Sequence, residues 1–546
     1  MTDLADRLVI KDGNVFAVIP REGGWSGADG VWMDDCRHVS RHELRIGGAP
    51  PRPLHADDDA GHTSVHRYAG GARLERRVHA DGTMVERILA PGTIELTAEG
   101  DFVTIFGLRG IVPRTPRETH RTELRRHAMP GELRVEYRFS PAPQAPAAAA
   151  FAPPRVECDD ERFAAVLQRA FADMRMLLSW LDGEPYFAAG VPWYATLFGR
   201  DSLIAALQLL AFAPAVAAGT LRLLAGRIGQ EDDPAREEEP GKILHELRPG
   251  ETGTPLARYY GSVDATPLFL LALQATGDAG LQAQLAPAAD AARRWIARRD
   301  PLTYTAGALR HQGWKDSEDG VPAPHPVALI EPQAYAGRSV EPFWLEQRGF
   351  YAMALGTDVL ASNQGHVLWT SPSGRLPALR ARAIRDALMG PAMFSGWGIR
   401  TLAADEPLYD PLSYHRGSVW PHDTALIAAG LHRHGFAEDY LTLFDALVDA
   451  AALAPGRRLP ELFGGQARVA DEPFVAYPVA CRPQAWAAGA IPFLLAEGLG
   501  LNACGDWAGA AVLPSGVSEL RIDGVVHASR TARGAVRVRR LAPARG

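Results

Sequence analysis

Up to about residue 140, apolar and polar positions alternate with a period of two. Residues 7–19 read RLVIKDGNVFAVI around Asp12-Gly13, and residues 74–89 read LERRVHADGTMVERIL around Asp81-Gly82. Such alternation puts successive side chains on opposite faces of a strand, and Asp-Gly between two such runs marks a hairpin. TIELTAEGDFVTIFGL (93–108) continues the pattern. Short strands at this spacing predict an antiparallel, sandwich-like module over 1–140. Within it, DDCRHVSRHEL (34–44) carries too much charge for a core strand and reads as an exposed strand or loop. Residues 141–154, PAPQAPAAAAFAPP, read as a Pro/Ala linker.

Beyond the linker the period lengthens. ERFAAVLQRAFADMRMLL (161–178) places Phe163, Leu167, Ala170, Phe171, Met174 and Leu178 on one helical face. Further helical segments are predicted over 201–212, 214–228, 264–275, 281–298, 376–388, 421–434, 436–453 and 484–498, with almost no strand between 160 and 500. The tail, SELRIDGVVHASRTARGAVRVRR (518–540), returns to two or three short strands. The expected layout is a β module (1–140), a linker (141–154), a helical domain (155–500) and a small β tail (501–546). Paired helices with long loops between the pairs suggest stacked hairpins.

The chain has 546 residues, 47% apolar and 22% charged, so a core of normal size needs neither disulfides nor metals to form. A net charge of −7 argues against a nucleic-acid or anionic-membrane binder. Cys36, Cys158, Cys481 and Cys504 show no CxxC spacing and read as reduced thiols. No basic-then-apolar leader and no long apolar run are visible, so a soluble cytoplasmic protein is expected.

The helices are Ala/Leu-rich, and the chemistry sits in their connections. Eight of the twelve Trp lie between 193 and 486, most of them in loops that also carry Asp, Glu, Arg and His. That mixture suits a polyhydroxylated ligand: aromatic faces pack on sugar C–H faces, and Arg and carboxylates fork onto adjacent hydroxyls. Glycoside hydrolysis needs one carboxylic acid and one carboxylate. The best candidates are Asp316 in GWKDSEDG (313–320), beside the apolar ring of Trp314, and Glu461 in RLPELFGG (458–465), an isolated acid in an apolar turn. The first stretch fails as a calcium loop, because the closing Glu position is Val327. His415 and His422 lack zinc spacing, and a His–carboxylate hydrogen bond or a contact to a sugar hydroxyl is the better use of His422–Asp423. GRDSLIAA is no nucleophile elbow, and Asp201 or Ser202 reads as a helix N-cap. No metal or cofactor is expected.

Together these loops resemble the six-hairpin glycosidases, and most of all the amylo-α-1,6-glucosidase or glycogen-debranching-like proteins with an N-terminal β domain. The likeness rests on LVIKDGNVFAV, VSRHELRIGG, VPWYATLFGRDSLIAAL, YYGSVDATPLF, QGWKDSEDG, SYHRGSVWPHDTAL, LPELFGG and PQAWAAGA, in that order. It implies a mainly α fold, an (α/α)6 toroid behind the β domain, and an inverting exo-acting α-glycosidase. Asp316 then matches the general acid and Glu461 the general base. Arg200 and Asp201 match the pair that holds the hydroxyls of the cleaved sugar. Trp193, Asp264, Trp314, His415, Trp420 and His422 fall in motifs that line the pocket. The implied substrate is a small oligosaccharide or an α-glucan end. The alternatives are a glycosidase for another small glycoside (a glucosyl- or mannosylglycerate, or a rhamnoside) and a sugar-binding protein with weakened catalysis. The chain departs from the family where GRSV (337–340) replaces a helical hairpin. That implies a thinned wall, or one filled by the partner subunit of a homo-oligomer.

Overall fold

The structure, a computed structural model, describes all residues except 1–3, 5, 23, 60, 105–121, 129, 140–149, 251–253, 372–375, 502–509 and 542–546. Most of the expected linker (141–149) and Cys504 lie outside the described residues.

The N-terminal part is antiparallel. Strands β1 (Arg7–Asp12), β2 (Val15–Pro20), β3 (Gly30–Met33) and β4 (Cys36–Val39) form a meander. β5 (Arg41–Ile46), β10 (Ile94–Gly100) and β11 (Thr122–Ala128) form a second sheet, ordered β11-β10-β5. β6 (Pro53–Asp59), β7 (Thr63–Tyr68), β8 (Arg73–His79), β9 (Thr83–Ala90) and β12 (Gly131–Arg138) form a third, ordered β12-β9-β8-β7-β6. Both Asp-Gly signals sit at hairpins, where Asp12 pairs Val15 and His79 pairs Thr83.

The meander is buried on both faces, and its period of two explains how. Leu8, Ile10, Val15, Ala17, Ile19, Val31 and Met33 face the core of the sandwich. The residues between them, Val9, Phe16, Val18 and Trp32, enter the core of the helical part. The meander therefore lies between two hydrophobic cores and contributes one face to each.

This burial overturns the expectation of an exposed strand or loop at the start of 34–44. Asp34 and Asp35 form the two-residue turn between β3 and β4, both with positive φ (49° and 62°), which Asp tolerates better than most residues. Asp35 is 1% exposed, because the helical part covers this hairpin. Exposure begins only at Arg41.

The helical part contains α1 (Glu161–Leu177), α2 (Gly199–Gln208), α3 (Pro214–Ala225), α4 (Ala265–Ala275), α5 (Ala279–Gln284), α6 (Ala286–Ala297), α7 (Ile330–Tyr335), α8 (Gly365–Thr370), α9 (Ala378–Met389), α10 (Pro421–Arg433), α11 (Ala437–Leu453), α12 (Ala485–Ala488) and α13 (Ala490–Gly498). The segment predicted over 281–298 divides at Leu285, where Pro287 opens a new helix. The short α7 and α8 carry too few residues for a 3.6 period to register. With twelve strands among the described residues before 140 and long loops between helices, the described chain is mixed rather than mainly α.

Contacts among the inner helices run from α2 to α4, α7, α8 and α10, on to α12 and α13, and back to α2. Outside them, α1 packs on α11, α12 and α13; α3 on α2 and α4; α6 on α4; α9 on α8; and α11 on α10. Between α7 and α8 no α-helix occurs; a 3-10 turn at Glu341–Phe343 and a short hairpin (344–351) fill that span. The strand β13 (Val156–Cys158) joins tail strands over 519–522, 526–530 and 536–540 in one sheet. Among the described residues no helix is long and apolar enough to cross a membrane.

Candidate active site

The starts of the inner helices carry the acidic groups. Asp201 lies in the first turn of α2, Glu331 in that of α7 and Asp423 in that of α10, while Asp264 immediately precedes α4. Acidic groups are favoured at helix N-termini. The expected N-cap role of Asp201 or Ser202 is not what the chain uses: α2 starts after Phe198 with no side-chain cap, and Ser202 donates to the Phe187 carbonyl (2.9 Å). Gly199 approaches the Leu244 carbonyl so closely that a Cβ there would stand 2.0 Å from its oxygen.

Arg200 is the hub of one side. Buried at 1% exposure, it donates Nε to Asp264 Oδ2 (2.7 Å), Nη1 to Asp316 Oδ2 (2.9 Å) and Nη2 to the Gln312 carbonyl (3.3 Å). Asp264 is fixed again by the Ser262 hydroxyl (2.7 Å). The Asp316 side chain keeps 26% exposure. Burial raises its carboxyl above the ordinary range, and the Arg200 guanidinium opposes that rise. Asp201 is pushed up to about 8 by burial; Arg200 opposes this, and the negative charges of Asp316 and Glu461 add to it. Asp201 thus senses both candidate catalytic carboxylates.

The loop around Asp316 is clamped on both sides. Lys315 Nζ donates to Asn363 Oδ1 (2.7 Å) and to the Thr401 carbonyl (2.6 Å), and Asn363 donates to Glu331 Oε1 (2.9 Å). Asp319 accepts from the hydroxyls of Ser317 (2.5 Å) and Ser413 (2.6 Å), which gives it a loop-holding role. Glu318 is exposed.

Glu461 forms the other side at 2% exposure. Its Oε1 accepts the Tyr414 hydroxyl, and its Oε2 accepts the Cys481 backbone N–H (2.8 Å). Four residues on, Gly465 meets the Gly417 carbonyl where a Cβ would lie 1.7 Å from the oxygen. Tyr414 packs edge-on against Trp420 (4.9 Å between centroids), which meets Trp314 (5.8 Å), so an aromatic wall links the two carboxylate loops.

The remaining expected site residues belong to or adjoin this wall. His415 stacks on Trp420 (4.9 Å), and its Nδ1 meets the Ser317 hydroxyl (2.8 Å). His422 stacks on Trp486 (3.9 Å), and burial pushes its pKa well down. Of the two uses expected for His422–Asp423, the mutual hydrogen bond is not made: Asp423 pairs with His366 Nε2 (2.7 Å), and the His422 ring lies flat on Trp486. Trp193 donates Nε1 to the Val479 carbonyl (3.0 Å). A small pocket of mixed character, lined among others by His311, Lys315, Leu329, Glu331, Met353 and His415, adjoins the Asp316 loop. Among the described residues no cluster of His, Cys, Asp and Glu could hold a metal ion.

Sequence reasoning passed over Tyr414, Glu246, Arg248 and Trp486. Tyr414 was within sight, since it stands inside the SYHRG loop, yet only the folded chain shows that it reaches Glu461.

Comparison with known proteins gives two family matches. Residues 10–168 match the N-terminal domain of (some) glycogen debranching enzymes. Residues 344–461 match the mannosylglycerate hydrolase MGH1-like glycoside hydrolase domain, a match that ends on Glu461. No curated protein matches. Among solved structures, a wild-type glycosidase is 16% identical, with 63% of this chain and 100% of that one covered, at a TM-score of 0.46. A GH63 mannosylglycerate hydrolase from Thermus thermophilus, in complex with Tris and D-glycerate, is 15% identical, with 61% and 98% covered and a TM-score of 0.42.

Proposed function

We propose that the chain is a glycoside hydrolase similar to the glycogen-debranching enzymes, an inverting, exo-acting α-glycosidase with Asp316 as general acid and Glu461 as general base. The observation that carries this reading is geometric: Arg200 ties Asp316 to Asp264 on one side, Tyr414 and the Cys481 N–H hold Glu461 on the other, and the Trp314–Trp420–Tyr414 wall joins the two. Burial favours the protonated form of Asp316, which is the form a proton donor needs. Asp316 protonates the leaving glycosidic oxygen. Glu461, oriented by Tyr414 and the Cys481 amide, takes a proton from the water that attacks the opposite face of the sugar. Arg200, Asp201 and Asp264 hold sugar hydroxyls, and Trp193, Trp314, Trp420, His415 and His422 shape the wall.

The cyclic order of inner-helix contacts supports an (α/α)6 toroid, with the outer helix missing between α7 and α8. The substrate is a small α-glucoside or an α-glucan end. The match to the MGH1-like domain favours the glycosyl-glycerates among the alternatives. The missing outer helix favours a second reading, in which the chain binds sugar with weakened hydrolysis. A panel of α-linked glucosides and glycosyl-glycerates, run with calorimetry beside a hydrolysis assay, tests both. Hydrolysis that disappears in Asp316→Asn and Glu461→Gln supports the first reading. Binding without hydrolysis by the wild type replaces it with the second.

A further inference from the structure

Two acidic features of the β-rich part have no role in the chemistry above, yet both end against it. The first is the Asp34–Asp35 turn. Arg248 donates Nη1 to Asp35 Oδ1 (3.1 Å) and to the Trp193 carbonyl (3.0 Å), and Nε to Glu246 Oε2 (2.9 Å). The side chains of Arg248 and Asp35 are each 1% exposed. The segment that carries Arg248 is zipped to the approach to α2: Leu247 N–H donates to the Leu197 carbonyl (3.0 Å), and Gly199 N–H to the His245 carbonyl (2.8 Å). The next residue along is Arg200, the partner of Asp316. The turn is itself pinned, because Asn14 Nδ2 donates to Asp34 Oδ1 (3.1 Å) and to the Trp180 carbonyl (3.1 Å).

The second feature is the acidic end of β6. Asp58 accepts from Arg458 Nη2 (3.3 Å) and Arg169 Nη2 (3.2 Å). Arg458 also grips Asp173 on α1 through Nε (3.0 Å) and Nη2 (2.8 Å). Arg458 opens the same turn that presents Glu461 three residues later.

We propose that the β-rich part is a component of the catalytic site: Asp35 through Arg248, and Asp58 through Arg458, are positioning residues that hold the Arg200–Asp316 side and the Glu461 side at their working separation. This rests on the acid and base assigned above. An inverting site needs its two carboxyl groups roughly 6.5–9.5 Å apart, so that one water fits between base and sugar. Both groups stand on loops, and a loop alone holds such a distance poorly. Each loop here is fixed by a buried or nearly buried ion pair from the β-rich part, one from the meander and one from the sheet that carries β6. Buried pairs are a weak source of net stability, and fixing a unique geometry is the use that remains for them.

The test measures kcat, KM and thermal unfolding for Asp35→Asn, Asp58→Asn and the double variant, beside Asp316→Asn and Glu461→Gln. Ile88→Val, in the sandwich core away from both braces, serves as a stability control. The double variant is expected to lose on the order of ten- to hundredfold in kcat with a much smaller change in KM, since a displacement near 1 Å has that scale of cost. Ile88→Val keeps wild-type kcat. If the Asp35 variant does not fold, Asp58→Asn decides, because Arg458 retains Asp173. A kcat within about twofold of wild type in the folded brace variants, with Asp316→Asn and Glu461→Gln inactive, overturns the inference and leaves the acid–base assignment standing. Near-wild-type turnover in Asp316→Asn or Glu461→Gln overturns the assignment itself and takes the inference with it.

Discussion

Asp316 keeps 26% of its side chain exposed and takes a charged donor, Arg200, whereas Glu461 is 2% exposed and takes neutral donors on both oxygens. A proton donor must be recharged from solvent after each turnover, so partial exposure suits it, and desolvation shifts its carboxyl toward the protonated form. A base that activates water has to present one lone pair in a fixed direction. Hydrogen bonds from Tyr414 and from the Cys481 amide supply that orientation. Two carboxylates in one pocket thus differ through the kind of donor each receives.

The harshest way to break this comparison removes one carboxylate at a time. Asp316→Asn and Glu461→Gln should each lower kcat by about 10² to 10⁴ while sugar binding by calorimetry survives. A milder way removes the orienting donor alone. Tyr414→Phe leaves Glu461 in place without its hydroxyl partner, and kcat should fall about tenfold with little change in KM, a loss in line with one hydrogen bond to a charged group.

Both proposed acids stand out in the chain because each has a local signature. Asp316 stands two residues from Trp314, and Glu461 is an isolated acid in an apolar, Pro-led turn. The strands of the meander were equally visible from their alternation. What surrounds the acids was not, since those contacts close over long separations: Asp35 and Arg248 lie 213 positions apart, and Asp58 and Arg458 lie 400 apart. The charged run 34–44 misled for the same reason. Charge in a strand suggests solvent until a distant Arg248 is known to cover it. Asp423 found His366, 57 positions away, in preference to the adjacent His422.

Asp201 sharpens the comparison through pH. Its folded-state pKa, about 8, lies above that of the unfolded chain, so the native state holds this proton more tightly. The stability it contributes is fully present below the ordinary carboxylate range and is lost as pH rises through about 8. The Tm of the wild type should therefore fall more steeply between about pH 6 and about pH 9 than that of Asp201→Asn, a difference that scanning calorimetry resolves. The smallest effect belongs to Glu318, exposed in the same loop as Asp316. Glu318→Gln should leave kcat/KM within about twofold of wild type, and a larger loss would move part of the acid's role to this neighbour.

The central claim is that water attacks under Glu461 while Asp316 protonates the departing oxygen, in a single displacement. The most direct measurement is a proton NMR time course of wild-type hydrolysis of an α-linked glucoside, followed from the first turnovers. The β anomer of the released sugar is predicted to appear first and then mutarotate. Initial release of the α anomer would contradict the account.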